Sequence, residues 1–176
     1  MTTLRFGDEA ELFAHKAWQT LKLEPPADLE KVAARLKIVI EQREFVGEVD
    51  GVYLRLPGAP PVIAINNSYT KSPARRRFTL AHEIGHHLLT RRISPGRRLF
   101  FFDTATTRPN MMERACDRFA ALLLMPEDLS RRFYEELSSN ESKRVAIMAN
   151  RFGVSAWALR RRLRELGLPA KPRRAR

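Results

Sequence analysis

A chain of 176 residues with a formal net charge of +12 is long enough for one good hydrophobic core and a small appendage. The charge is uneven: residues 1–50 hold 7 Lys and Arg against 10 Asp and Glu, leaving 25 against 10 in the remainder. The single cysteine, Cys116, excludes an internal disulfide framework and a cysteine-built zinc site, and no apolar run is long enough for a membrane span. Residues 8–22 then read as a first helix, with Leu12, Phe13, Ala17, Trp18 and Leu21 on one face and Asp8 with Glu11 as a capping pair. Pro25-Pro26 ends it, and Asp28 caps a short second helix through Leu36, with Leu29, Val32, Ala33 and Leu36 inward.

From Ile38 to Ile65 the period changes. Segments 37–40, 44–49, 51–56 and 61–65 are short and rich in β-branched residues, and Asp50-Gly51 signals a tight hairpin between the second and third. A small, mainly antiparallel sheet is expected there, followed by a helix from about Pro73 to Leu89. Residues 90–109 read as irregular, apart from a short strand at Leu99–Phe102. Residues 110–125 are strongly helical, and Pro126 opens another helix through about Leu137. Ser142 to Phe152, then Gly153-Val154-Ser155, then Ala156 to Leu166 read as helix, short turn, helix.

Chemistry concentrates in Phe78 to Leu89, which contains His82-Glu83-x-x-His86. Residues four apart share a helix face, so His82 and His86 can meet one metal ion. Glu83, beside the first ligand, can take a proton from a water that the ion activates. Gly85 leaves room for close approach of another backbone or of a substrate. His87 points about 100° away from His86 and is a poor ligand for the same ion. The third ligand is sought downstream, because the His-x-x-Gly-x-x-His continuation of metzincins is absent after His86. Glu113 and Asp117 share a face of the next long helix: the first as metal ligand, the second orienting a ligating histidine through its free ring nitrogen. Two histidines and one glutamate with a fourth position open is a catalytic zinc set. The spacing of Glu113 from Asn110 equally fits a capping box.

Arg77 to His86, followed by Glu113-x-x-x-Asp117-x-Phe119-Ala120-Ala121-x-Leu123-Leu124-Met125-Pro126, resembles the ImmA/IrrE metallopeptidases. The resemblance implies an α+β, gluzincin-like fold: a small, mainly antiparallel sheet packed on the His-Glu-x-x-His helix and on a second ligand-bearing helix. It implies His82, His86 and Glu113 as metal ligands, Asp117 behind them, and Glu83 as the catalytic base. Zn²⁺ is the expected ion, with Mn²⁺ the alternative in the cell. The implied substrate is an XRE-type helix-turn-helix repressor, cut to release stress or mobile-element genes. The organisation expected is a metallopeptidase domain over 1–138, a helix-turn-helix-like segment packed on it over 139–168, and a basic disordered tail over 169–176.

That segment has a basic second helix carrying Arg160, Arg161, Arg162 and Arg164. Three readings stand beside one another: DNA contact, an acidic face on the repressor, or a hairpin that packs on the core and only borrows the pattern. The chain's basic surplus fits the first two, or a solvated surface. The rival to proteolysis is a DNA- or repressor-binding regulator with a structural or sensory metal site. For the oxyanion, Tyr53, Tyr69, Tyr134 and an arginine from 75–77 are the candidates. Met1 to Glu9 lacks the apolar core of a signal peptide, so the expected location is cytoplasmic, without a membrane partner.

Overall fold

Helix α1 (Phe6–Leu21) opens a computed structural model that describes residues 6–93, 96–104, 110–137 and 140–170. The helix starts ahead of Asp8, which therefore lies inside its first turn instead of capping it. Its most buried apolar residues are Ala10 and Ala14, with Phe13, Ala17, Trp18 and Leu21 partly covered, while Leu12 turns outward. Small residues on that face allow close packing, and the Trp18 indole donates to the carbonyl of Leu123 at 2.9 Å. The second helix, α2 (Leu29–Arg35), follows the sequence reading: the Asp28 carboxylate accepts from Lys31 N at 2.8 Å, and Leu29, Val32 and Ala33 are buried.

The sheet holds β1 (Val39–Arg43), β2 (Val49–Arg55), β3 (Val62–Asn66) and β4 (Leu99–Thr104) in the order β1-β3-β2-β4. Strand β2 runs antiparallel to both neighbours, whereas β1 and β3 are parallel, so the sheet is mixed. The hairpin expected at Asp50-Gly51 does not exist. Both residues lie inside β2, beside an irregularity between Val49 and Gly51, and residues 44–48 form the connection instead. The dipeptide is there for burial, not turning. The Asp50 side chain is 2% exposed and pairs with Lys71 (2.8 Å) and Arg75. A Cβ on Gly51 would come within 2.5 Å of Thr79 Cγ2, so glycine is what lets β2 approach the next helix.

That helix is α3 (Pro73–Ile93), started by Pro73 and by Ser72 Oγ, which accepts from Arg75 N at 3.2 Å. It is followed by α4 (Met111–Leu124), α5 (Glu127–Glu136), α6 (Glu141–Phe152) and α7 (Ala156–Glu165). Helix α3 lies between the sheet and α4, so both its faces are covered. Against α4 the approach is close: a Cβ on Gly85 would meet Cys116 Cα and Phe119 Cδ1, each at 3.2 Å. The room left by Gly85 is thus taken by another backbone.

Helix α6 ends on Gly153 in the left-handed region (φ 65), and Ser155 caps α7 by accepting from Ala158 N at 3.1 Å. One hydrophobic core includes Tyr53 and Ile63 from the sheet, Ala81 and Ile84 from α3, Phe119 from α4, Met148 and Phe152 from α6, and Leu159 and Leu163 from α7. Each such large side chain contributes about 1.5–3 kcal/mol by leaving water. The α6–α7 hairpin is therefore built into the same core as the sheet. The disordered tail expected from residue 169 needs correction at its start, because Ala170 is buried and Pro169 O accepts from Tyr134 OH at 3.1 Å. Residues 171–176 of that expectation lie outside the described residues.

Candidate metal centre

Sandwiching α3 between sheet and helix buries four consecutive-turn polar side chains, His82, Glu83, His86 and His87. His82 and His86 face α4, whose first turn brings Glu113 against them. His82 Nε2 lies 3.1 Å from His86 Nε2 and 3.0 Å from Glu113 Oε2, and His86 Nε2 lies 3.4 Å from the same oxygen. Donors bound tetrahedrally at about 2.0–2.1 Å from one zinc ion sit roughly 3.3 Å apart, so the three atoms already form one face of that polyhedron. Glu113 also carries the capping bond, its backbone N donating to Asn110 Oδ1 at 3.0 Å. Only the Asn110 half of the capping box is made, and the Glu113 carboxylate faces the two imidazoles instead of the Asn110 N–H.

His82 Nδ1 lies 3.0 Å from Asp117 Oδ1. A carboxylate only accepts, so Nδ1 carries a proton, and Nε2, beside His86 and Glu113, is the atom left to an ion. Three electron-rich atoms converging in a buried place repel one another unless a positive charge lies among them. Burial opposes charging His82, but Asp117 and Glu113 override it and push the imidazole up to about 10, so positive charge is favoured at this place. Burial likewise works against the Glu113 carboxylate, yet His82 and His86 hold it well below the usual carboxylate range. Burial lowers His86. The donor set fits a divalent ion.

Glu83 differs from every other carboxylate in the chain's described core. It is fully buried, and neither of its oxygens has a hydrogen-bond partner among the described residues. Burial pushes it up to about 8, with His82 pulling the other way and Asp103 and Glu113 adding to the rise. On the far side of α3, His87 Nδ1 meets Tyr53 OH at 3.0 Å, and burial, Arg91 and Arg55 hold its pKa down to about 4. It pairs with Tyr53 of the sheet and points away from Glu113, the direction expected of it on the helix. Phe101 joins the two sides, stacking on His86 at 4.4 Å and on Tyr53 at 6.2 Å between ring centroids.

Asp103, near the centre, escaped the sequence reading, whereas the spacing of Cys116 from Glu113 allowed it to face the site or the core. Asp103 sits opposite Gly51 in the β2–β4 register, and the Cβ direction of Gly51 leads to Glu83 Oε1 at 3.0 Å. Cross-strand partners share a sheet face, so Asp103 projects toward Glu83 as well; burial raises its pKa, against His82 and Arg75. Only the strand pairing could have revealed it. The Cys116 thiol groups with His82 and His86 within 4.8 Å, so it faces the centre from α4 while being buried among core residues. Glu113 Oε2 lies within 3.4 Å of both imidazoles, and burial and the surrounding carboxylates push the thiol's pKa up.

All the oxyanion candidates but Tyr69 are engaged elsewhere. Tyr53 OH faces His87, Tyr134 OH donates to Pro169, and Tyr69 is 97% exposed. Arg75 is bound to Asp50, Arg76 to Lys71 O and Arg77 to Ala27 O. The basic stripe of α7 also needs correction. Arg161 and Arg164 are exposed and Arg160 is half-buried, but Arg162 is buried, donating to Met125 O at 3.0 Å, so it does not belong to a contact surface for a duplex or a protein face. Arg162 follows the apolar residues Leu159 and Leu163 inward; sequence periodicity puts it on their side of the helix.

An α+β chain with a His-Glu-x-x-His helix packed on a carboxylate-bearing helix defines a class of candidate metal-centre proteins. The family model described as Peptidase_M78, the IrrE N-terminal-like domain, matches residues 32–164, and the chain belongs to that family. No curated protein matches it. Among solved structures it is similar to a Mycobacterium tuberculosis transcriptional regulator, with a TM-score of 0.54 and 15% identity, over 94% of this chain and 48% of that one. At that identity the likeness is one of fold, and this chain spans about half the length of that protein. No helix among the described residues is long and apolar enough to cross a membrane.

Proposed function

We propose that the chain is a zinc-type metallo-endopeptidase that cuts an XRE-type helix-turn-helix repressor and so releases stress or mobile-element genes. The observation that carries the reading is the pairing of His82, His86 and Glu113, whose donor atoms lie within 3.4 Å of one another, with the buried, unpartnered carboxylate of Glu83. A purely structural site gains nothing from Glu83. Leaving a buried polar group unsatisfied costs about 1–3 kcal/mol, more for a charged one. A hydrolase uses such a group. Membership of a peptidase family supports the same conclusion.

A divalent ion held by His82, His86 and Glu113 would polarise the scissile carbonyl and acidify water. Zinc suits the two imidazoles and one carboxylate, and manganese is the alternative for the cell. Asp117 keeps the His82 ring turned by holding its Nδ1 proton. Glu83 takes the proton of the attacking water and returns it to the departing amine. The stacked Phe101 and the close α3–α4 contact at Gly85 keep the His86 ring and the two helices in register.

A second reading, a regulator that holds DNA or the repressor without cutting, is supported by the helix–turn–helix form of α6 and α7 and by exposed Arg161 and Arg164. Glu83 separates the two. Incubating the zinc- or manganese-loaded chain with an XRE-type repressor from the same organism should give one defined cut, absent with Glu83→Gln. If both proteins leave the repressor intact across metals, the holding reading stands. A gel shift titrated with salt tests the DNA arm separately, since phosphate-driven binding weakens steeply with salt.

A further inference from the structure

Between α4 and α7, outside the metal centre but sharing Asp117 with it, lies a pocket of about 260 Å³. Phe78, Ala121, Leu122 and Met125 give it apolar walls, and Trp157, 68% exposed, stands on the α7 side. Its charged lining is four arginines, Arg114, Arg118, Arg161 and Arg162, against two carboxylates, Asp117 and Glu165. Arg118 is committed to Glu11, and Arg161 uses its Nε on Glu165 at 3.2 Å, with no partner for its two Nη atoms among the described residues. The other two are not fully used.

Arg162 is only 5% exposed. Its Nε donates to Met125 O at 3.0 Å and its Nη1 is 3.7 Å from Glu165 Oε2, but its Nη2 has no hydrogen-bond partner among the described residues. Burial lowers its pKa, and Glu165 and Glu127 offset that only in part. Arg114 is exposed and has no partner among the described residues. An exposed, uncommitted guanidinium, a second one buried in the same lining with its Nη2 unpaired, and a bare indole make an arrangement the fold itself does not need. Guanidinium forks match carboxylate and phosphate oxygens, and an exposed indole offers a flat face to an apolar body.

We propose that this pocket binds a compact organic anion, one carboxylate or phosphate group on a small apolar body. The head lies among Arg114, Arg161 and Arg162, and the body lies against Trp157 and Leu122. The volume is just under the roughly 300–1,000 Å³ of drug-sized ligand sites, which argues for a small molecule. The pocket does not depend on the peptidase reading, because none of its arginines takes part in the metal centre.

The test follows Trp157 emission in the full metal-loaded chain during titration with phenyl phosphate, with benzyl alcohol and inorganic phosphate as the two halves of the ligand. Trp157→Phe gives the background from Trp18. The expected result is a saturable change with phenyl phosphate, at least about tenfold tighter than with either half, because charge-assisted and apolar contacts then add. The double variant Arg114→Ala/Arg161→Ala, at exposed positions, should bind about tenfold or more weakly. Arg162→Lys keeps the buried charge but loses the fork, and should weaken binding as well. No saturable change, equal binding of benzyl alcohol or of inorganic phosphate, or unchanged affinity in the double variant overturns the assignment.

Discussion

The metal centre and the α6–α7 hairpin are both rich in charged side chains, and they treat those charges in opposite ways. In the hairpin the ends are capped by Asn140, Gly153 and Ser155, and Arg161 pairs with Glu165 one turn on. Nearly everything there serves a local purpose. In the centre, two imidazoles and Glu83 are buried beside the partly exposed Glu113, with Glu83 lacking any hydrogen-bond partner among the described residues. The folded chain keeps that cluster at a cost. At the caps the satisfied polar groups are building structure, and at Glu83 an unsatisfied carboxylate is holding chemistry.

The largest effect expected from breaking this contrast is at Glu83. Glu83→Gln keeps the shape and should retain bound zinc, while kcat on the cut repressor falls by roughly 10²–10⁴-fold, the size of a general base contribution. Next is Asp117→Asn, which weakens the hold on the His82 proton. Zinc affinity, read by competition with a chelator, should drop about 10–100-fold, as for other groups that orient a ligating histidine.

A buried carboxylate that is satisfied should behave differently, and Asp50 provides it. Burial would raise its pKa, but Lys71 and Arg75 bring it below 3.8. The folded form therefore holds the proton less tightly than the unfolded chain does. Its contribution to stability is full above the unfolded pKa and is lost as pH falls through the lower folded value. Asp50→Asn should remove about 1–3 kcal/mol at neutral pH, less than for a fully buried pair because both partners reach solvent. Its urea midpoint should converge on that of the wild type as the buffer becomes acidic. At the bottom of the scale, Arg161→Ala in the hairpin should change stability by no more than about 0.5 kcal/mol in the same urea titration.

Much of this was legible in the sequence, because helices announce themselves locally. The caps at Asp28, Asn110 and Ser155 and the prolines at 73 and 126 fall where the helices begin. His82, His86, Glu113 and Asp117 could be paired in advance because each pair repeats at one helical turn. The sheet was harder. Asp50-Gly51 is spelled like a hairpin, yet lies within β2, since its role is set by Lys71, Arg75 and Thr79 from distant parts of the chain. Asp103 was invisible for the same reason: only the β2–β4 register turns it toward Glu83. The basic run of α7 misled through composition, because Arg162 shares the inward face of Leu159 and Leu163 and is buried with them.

The central claim is that His82, His86 and Glu113 hold one ion for which Glu83 is the base. Intact-mass analysis of the repressor after incubation with zinc-loaded wild type and zinc-loaded Glu83→Gln tests it most directly, with bound zinc measured in both. One zinc per chain in each protein, with two repressor fragments from the wild type alone, is the predicted result. Identical repressor masses from the two proteins, at equal zinc content, would contradict it.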